Sequence, residues 1–172
     1  FACVMDFSLQ ELVNHMAGSV VSAGPDRLLG AARAGVPMIV APGATDMVDY
    51  PAWGQRPARF EQLPAHEHNR LIASVVIDAD TRREVAREIA ARLRQCAGHA
   101  HLVLPLQGIE EWDRPGAALH DQAGLDAFMA EMRAADCGTA EVKTVDAHIN
   151  DEAFAHHVLQ VFDAWVAAGL CQ

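Results

Sequence analysis

Val36-Pro37-Met38-Ile39-Val40-Ala41, closed by Pro42-Gly43, is the stretch on which the fold turns. It is short, continuously apolar and stopped by a Pro-Gly turn, the pattern of a strand buried on both faces of a sheet. Working outward, similar runs recur at residues 71–77, at 101–106 before Gln107-Gly108, and at 141–147. The opening FACVMDF reads as an apolar strand leading into a helix. Between the runs lie segments with apolar residues at helical spacing. Ser8-Leu9-Gln10-Glu11 has the form of a capping box ahead of Leu12, Val13 and Met16, and Thr81-Arg82-Arg83-Glu84 has the same form ahead of a helix to about Gln95. Pro25 suits the first turn of a helix running to about Arg33 and closed by Gly35. The spacing also predicts helices over 121–135 and 151–168, the latter burying Phe154, Val158, Val161, Phe162 and Trp165. Residues 42–69 show neither period and read as a long ordered loop anchored by Tyr50, Trp53 and Phe60. Strands alternating with helices predict an α/β fold: one open, mostly parallel sheet with helices on both faces, a Rossmann-like three-layer arrangement with right-handed crossovers. The whole chain, 1–172, reads as a single α/β domain.

The bulk properties agree with a core-forming chain. Of 172 residues, 51% are apolar and 21% charged, and the mean hydropathy is +0.06. That excludes an intrinsically disordered chain. Lys+Arg 13 against Asp+Glu 23 gives a formal charge of −10 with no basic run to follow a phosphate backbone, so nucleic acid is not an expected partner. No apolar stretch reaches the roughly 18–20 residues of a membrane span and no signal-peptide order opens the chain, which predicts a cytoplasmic protein without a membrane partner. Cys3, Cys96, Cys137 and Cys171 form no C-x-x-C pair and read as free thiols.

In open α/β sheets, ligands bind beyond the carboxyl ends of the strands. Four polar clusters fall there: Ser22–Arg27, Pro42–Asp46, Gly108–Asp121 and His148–Asp151. Gly24 and Arg27 stand at a helix start, which serves either as an anion site or simply as a well-made first turn. The phosphate-loop fingerprints are absent. His66-Glu67-His68-Asn69 can set two imidazoles on one side of an extended chain, as metal ligands with Asp46 or His148, or as hydrogen-bonding posts; no third ligand is fixed by spacing, and no metal is assigned. Asp46, Asp113, Asp121 and Asp151 are candidate acids or bases, with capping the favoured role for Asp121 and Asp151. Trp53 and Trp112 sit in the loops expected to border the crevice, either stacking on a planar ligand or covering the core.

Several of these segments together resemble a known family. Ala41-Pro42-Gly43-Ala44-Thr45-Asp46-Met47-Val48-Asp49, His66-Glu67-His68-Asn69, Leu104-Pro105-Leu106-Gln107-Gly108 with Asp113 and Pro115-Gly116, and His148-Ile149-Asn150-Asp151 with Ala153-Phe154-Ala155 occur in the order seen in the tomato mosaic virus resistance protein-like (Tm-1-like) family and its uncharacterised bacterial members. The resemblance covers nearly the whole chain. It implies the C-terminal α/β half of a two-domain protein, a likeness to ATP-binding proteins and a tendency to form homodimers. One departure stands out: where the family continues with a strand ending Met-Arg-Thr, this chain has Ala73-Ser74-Val75-Val76-Ile77-Asp78, leaving Arg27, Arg56 and Arg59 to meet an anion.

The leading expectation is therefore a domain that binds a nucleotide or an acidic metabolite in a site shared with the family's N-terminal domain, ATP being the cofactor suggested for the full-length protein. Gly24, Gly43, Gly108 and Gly116 would allow close backbone approach, and Asp46, His68, Asn69, His148 and Asn150 would orient the ligand, with Arg27, His66 and Asp151 also among the expected ligand-binding residues. The alternative is a hydrolase or lyase, with or without a metal, in which His68 or His148 is the base and Asp46 its orienting partner. A third is an interaction module dimerising through an apolar helix face.

Overall fold

The structure, a computed structural model, describes residues 2–56 and 58–171. Four strands, β1 (Val4–Asp6), β2 (Met38–Val40), β6 (Ala100–Pro105) and β7 (Glu141–Val145), form a parallel sheet in the order β1-β2-β6-β7. Alternation across the pleat divides the core in two. Met38, Val40, Leu102 and Leu104 face the larger cluster, together with residues of α1 (Gln10–Met16), α2 (Leu29–Ala34), α3 (Ala79–Leu93) and α4 (Gln122–Ala134). Ile39 and Val103 face the opposite way and meet Phe154 and Val158 of α5 (Glu152–Ala167). The expected three-layer α/β fold is present, with four helices on one face and α5 alone on the other.

The expected long loop is replaced by structure. Between β2 and α3 the chain builds a second, antiparallel sheet of β3 (Met47–Pro51), β4 (Ala65–Glu67) and β5 (Ile72–Val76), ordered β3-β5-β4. The run at 71–77 therefore belongs to this sheet and not to the parallel one. Val48, Tyr50, Ala73 and Val75 point into the main core, whereas Met47, Asp49, Ile72 and Ser74 point toward a cavity. Residues 47–50 are buried throughout, so no alternation of polarity marks them as a strand.

Helix starts also differ from the capping boxes. The α1 N-cap is Leu9 without a side-chain cap. For α3 the cap is Asp78, whose carboxylate accepts the Thr81 N–H at 2.8 Å, so the helix starts two residues before Thr81. α2 begins only at Leu29, because Leu28 takes a left-handed conformation with φ 73°. Gly35 closes α2 in the left-handed conformation and Asp121 caps α4, both as expected. Asp151 does not cap α5 with its side chain. On α5, Phe154 and Val158 are buried while Val161, Phe162 and Trp165 are half-buried. The four cysteines are free thiols, and no described helix is long and apolar enough to cross a membrane.

Candidate functional site

Loops after all four parallel strands meet at one end of the sheet, stitched by backbone hydrogen bonds. The Leu9 N–H donates to the Gly43 carbonyl, Ala44 N–H to Ile109, and Ile149 N–H to Gly108, each at 3.0 Å. Gly43 is required by closeness: a Cβ there would lie 1.9 Å from the Phe7 carbonyl oxygen. Gly108 has φ +131°, and its missing Cβ would lie 2.4 Å from Asp113 Oδ1 and 2.5 Å from the His148 ring. Ala44 sits beside them at φ 54°, a strained conformation for a residue with a side chain.

These loops border a cleft of about 730 Å³, within the size range of small-molecule sites. Its lining is largely apolar, from Phe7 and Ile149 in the loops to Phe154 and Leu159 on α5, with the antiparallel sheet presenting Asp49 and Ser74. Asp49 accepts from Gln10 Nε2 at 2.9 Å, Asn14 Nδ2 at 3.2 Å and Ser74 Oγ at 2.6 Å, so its carboxylate is well satisfied. Trp112 also lines the cleft, its ring packed against His66 and His68 at centroid distances of 4.3 and 5.3 Å.

Glu110, Glu111 and Trp112 belong to a short 3-10 turn built by reciprocal capping. Glu110 Oε2 accepts the Trp112 N–H at 2.7 Å, and the Asp113 carboxylate accepts the amides of Ile109 and Glu110. Glu110 is 7% exposed, lines the cleft, and has a second oxygen, Oε1, without a partner. Burial pushes its carboxyl up to about 8, against the pull of the Trp112 amide, and the neighbouring charges of Asp46 and Asp113 add to the rise. Asp46 is completely buried with both oxygens unpartnered; burial raises it to about 6 despite the opposing charge of Arg82.

His148 is a strut. Its Nδ1 accepts the Asn150 N–H at 3.1 Å, so Nε2 carries the hydrogen and donates to the Glu110 carbonyl at 2.8 Å and Asp113 Oδ1 at 3.0 Å. With both nitrogens engaged and the ring 1% exposed, His148 has no lone pair to offer a ligand. Asp46 is likewise outside the cleft lining. Of the residues singled out as acid or base, His68 alone reaches the cleft.

The remaining sequence candidates separate. Gly43 and Asn150 line the cleft; Gly108 supports it through its contact with His148. His66 braces Trp112, and Asn69 uses its side-chain oxygen to accept the amides of Leu71 and Ile72 in the β4–β5 turn. Asp151 accepts the His148 N–H at 3.0 Å and pairs with Arg114. Gly24 (φ +81°) and Gly116 (φ +87°) have open space around them and are not part of the lining. Arg27 borders a different pocket and is held by Asp6 at 2.7 Å and Glu11 at 3.2 Å. Arg56 is bound to the carbonyls of Glu61 and Leu63, and Arg59 to Glu84. Among the described residues no Lys or Arg lines the cleft, and no group of three or more His, Cys, Asp or Glu is placed to hold a metal ion. Sequence reading gave no role to Asp49 or Glu110, although Asp49 closes the 41–49 segment and Glu110 lies in the Gly108–Asp121 cluster.

Strand-end loops enclosing an apolar cleft define a three-layer α/β domain with a cavity at the C-terminal edge of its parallel sheet. Residues 1–166 match the C-terminal domain of the uncharacterised protein family UPF0261, and the chain belongs to that family. It is 51% identical over 170 residues to a UPF0261 protein of Brucella melitensis and 27% identical over 153 residues to one of Clostridium tetani. It is 25% identical over 161 residues to the tomato ToMV resistance protein Tm-1, so the resemblance read from the motifs holds. The matches cover 99%, 88% and 92% of this chain but 41%, 38% and 21% of those proteins.

Proposed function

We propose that this domain binds a small molecule in the cleft at the C-terminal edge of the parallel sheet, and that the outer wall is completed by the additional polypeptide its relatives carry. The observation that carries the reading is the cleft itself: about 730 Å³, largely apolar, with one buried carboxyl oxygen, Glu110 Oε1, lacking a partner in its wall. A pre-formed apolar cavity with few polar groups is the usual form of a ligand site. Met5 and Leu159, both in the lining, remain 39% and 49% exposed, which suits a surface covered by further chain.

A nucleotide or acidic metabolite would have to draw its countercharge from that further chain, because the lining here carries Asp49, Glu110 and Glu111 and no cation among the described residues. ATP binding is accordingly proposed only for the longer protein. The enzyme alternative keeps one foothold: Glu110, in the cleft wall with its carboxyl near 8, is better suited to proton transfer than Asp46 or His148.

Titration with 1-octanol, followed by amide NMR, tests the cleft. Shifts concentrated at Ala44, Ile109, Asn150 and Leu159 are expected. Shifts scattered over the surface, or none at millimolar octanol, refute the reading. A full-length relative that binds ATP no better than this domain does refutes the shared wall.

A further inference from the structure

Three features of the cleft wall constrain the charge of what enters it. Glu110 Oε1 is buried in the cleft wall without a partner, and a buried carboxyl oxygen left unpaired is a standing penalty that an approaching ammonium would remove while drawing the acid toward its charged form. Around it the lining is acidic: Asp49 stands on the facing strand and Glu111 on the rim, with no Lys or Arg among the described lining residues. Third, the Trp112 ring lines the same cleft, with His66 and His68 packed against it, and an aromatic ring attracts a cation. A metal ion is poorly served, since no described trio of ligand side chains converges.

We infer that the cleft takes an organic amine, its ammonium donating to Glu110 Oε1 beside the Trp112 ring and its apolar body lying along Phe7, Ile149, Phe154 and Leu159. This rests on the cleft being a ligand site and adds the chemical class of the ligand. The three carboxylates contribute unequally. Asp49 already accepts three hydrogen bonds and acts through its charge, and Glu111 is tied to Asn150 at 3.0 Å and to Arg114 at 3.5 Å. Glu110 supplies the contact. An alcohol of equal length can fill the same apolar volume and lacks the charge; a carboxylate places a like charge against an acidic wall.

The test compares n-octylamine, 1-octanol and octanoate at pH 8 by NMR titration of the Trp112 indole N–H and the Ala44 and Ile109 amides. The amine is expected to bind at least about tenfold more tightly than the alcohol, the ratio a charge-assisted hydrogen bond supplies, with octanoate weakest. Glu110→Gln should bring the amine down to the alcohol's affinity, whereas Glu111→Gln should alter the amine by less than about twofold. If Glu110→Gln does not fold, the order of the three head groups on the natural chain still decides. Octanoate or octanol binding as tightly as the amine overturns the inference while leaving the cleft as a ligand site. An amine preference that survives in folded Glu110→Gln overturns it too. Failure of all three probes overturns both readings.

Discussion

Replacing Glu110 by Gln removes a buried acid whose carboxyl titrates near 8 in the folded chain against an ordinary value of 4.5. Because the folded state holds this proton more tightly than the unfolded chain, the group favours folding at low pH, and that contribution declines as pH rises from 4.5 through 8. At about 1.4 kcal/mol per pH unit the whole decline is on the order of 5 kcal/mol, of which roughly 1 kcal/mol falls between pH 7 and 8.5. That upper interval isolates Glu110. Asp46, raised to about 6, has almost finished titrating by pH 7, and the thiols of Cys3 and Cys137, both raised by burial above an ordinary value of 9.0, contribute mainly above pH 8.5. His101 is lowered by burial and acts only below the ordinary histidine range, where its slope runs the other way. Glutamine can still accept the Trp112 N–H, so the 3-10 turn keeps its cap. Urea unfolding at pH 7 and 8.5 should show the natural protein losing roughly 1 kcal/mol and Glu110→Gln losing almost nothing over the same interval. An equal loss in both proteins would refute the reasoning, because the titrating group would then lie elsewhere.

Gly43→Ala puts a Cβ 1.9 Å from the Phe7 carbonyl and should lower stability by about 3 kcal/mol or more, whereas Gly116→Ala, strained only by its φ of +87°, should lose about 1 kcal/mol; chemical denaturation separates them. His148→Ala leaves Asp113 Oδ1 and the Glu110 carbonyl short of a donor, and should destabilise by roughly 2–4 kcal/mol, with hydrogen exchange accelerating first at residues 108–113 and 148–151. Arg27→Met breaks the pair with Asp6 and should lower the unfolding midpoint while leaving octanol-induced shifts at Ala44 and Ile109 in place, since Arg27 borders another pocket.

What the residues revealed in advance follows from where each signal lives. Runs such as Val36–Ala41 are apolar because both faces of the parallel sheet are covered, and that pattern is local, so the α/β architecture was legible. The antiparallel sheet was not. Met47–Tyr50 is buried on both sides, by the core and by the cleft wall, so its Asp49 and Tyr50 break the run without restoring an alternation. The strand-end loops were found as polar clusters, yet the roles inside them depend on partners far along the chain: His148 looked like a base until Asp113 and Asn150 claimed its nitrogens. Arg27 looked free for the same reason, its partner Asp6 lying twenty-one residues earlier. Glu110 carried no motif, and its lack of a partner exists only in three dimensions.

The antiparallel sheet has a consequence for how this family can diversify. It leaves the parallel frame after Pro42-Gly43 and rejoins it where the Ile77 N–H meets the Asp46 carbonyl at 2.9 Å, so both ends of the excursion are moored side by side. Substitutions at 47 and 72 recolour one wall of the cavity, while 48, 50, 73 and 75 anchor it from behind and Asp49 with Ser74 ties it to α1. Lineages can thus exchange the chemistry of that wall as a cassette, with the four parallel strands and their connections left unaltered.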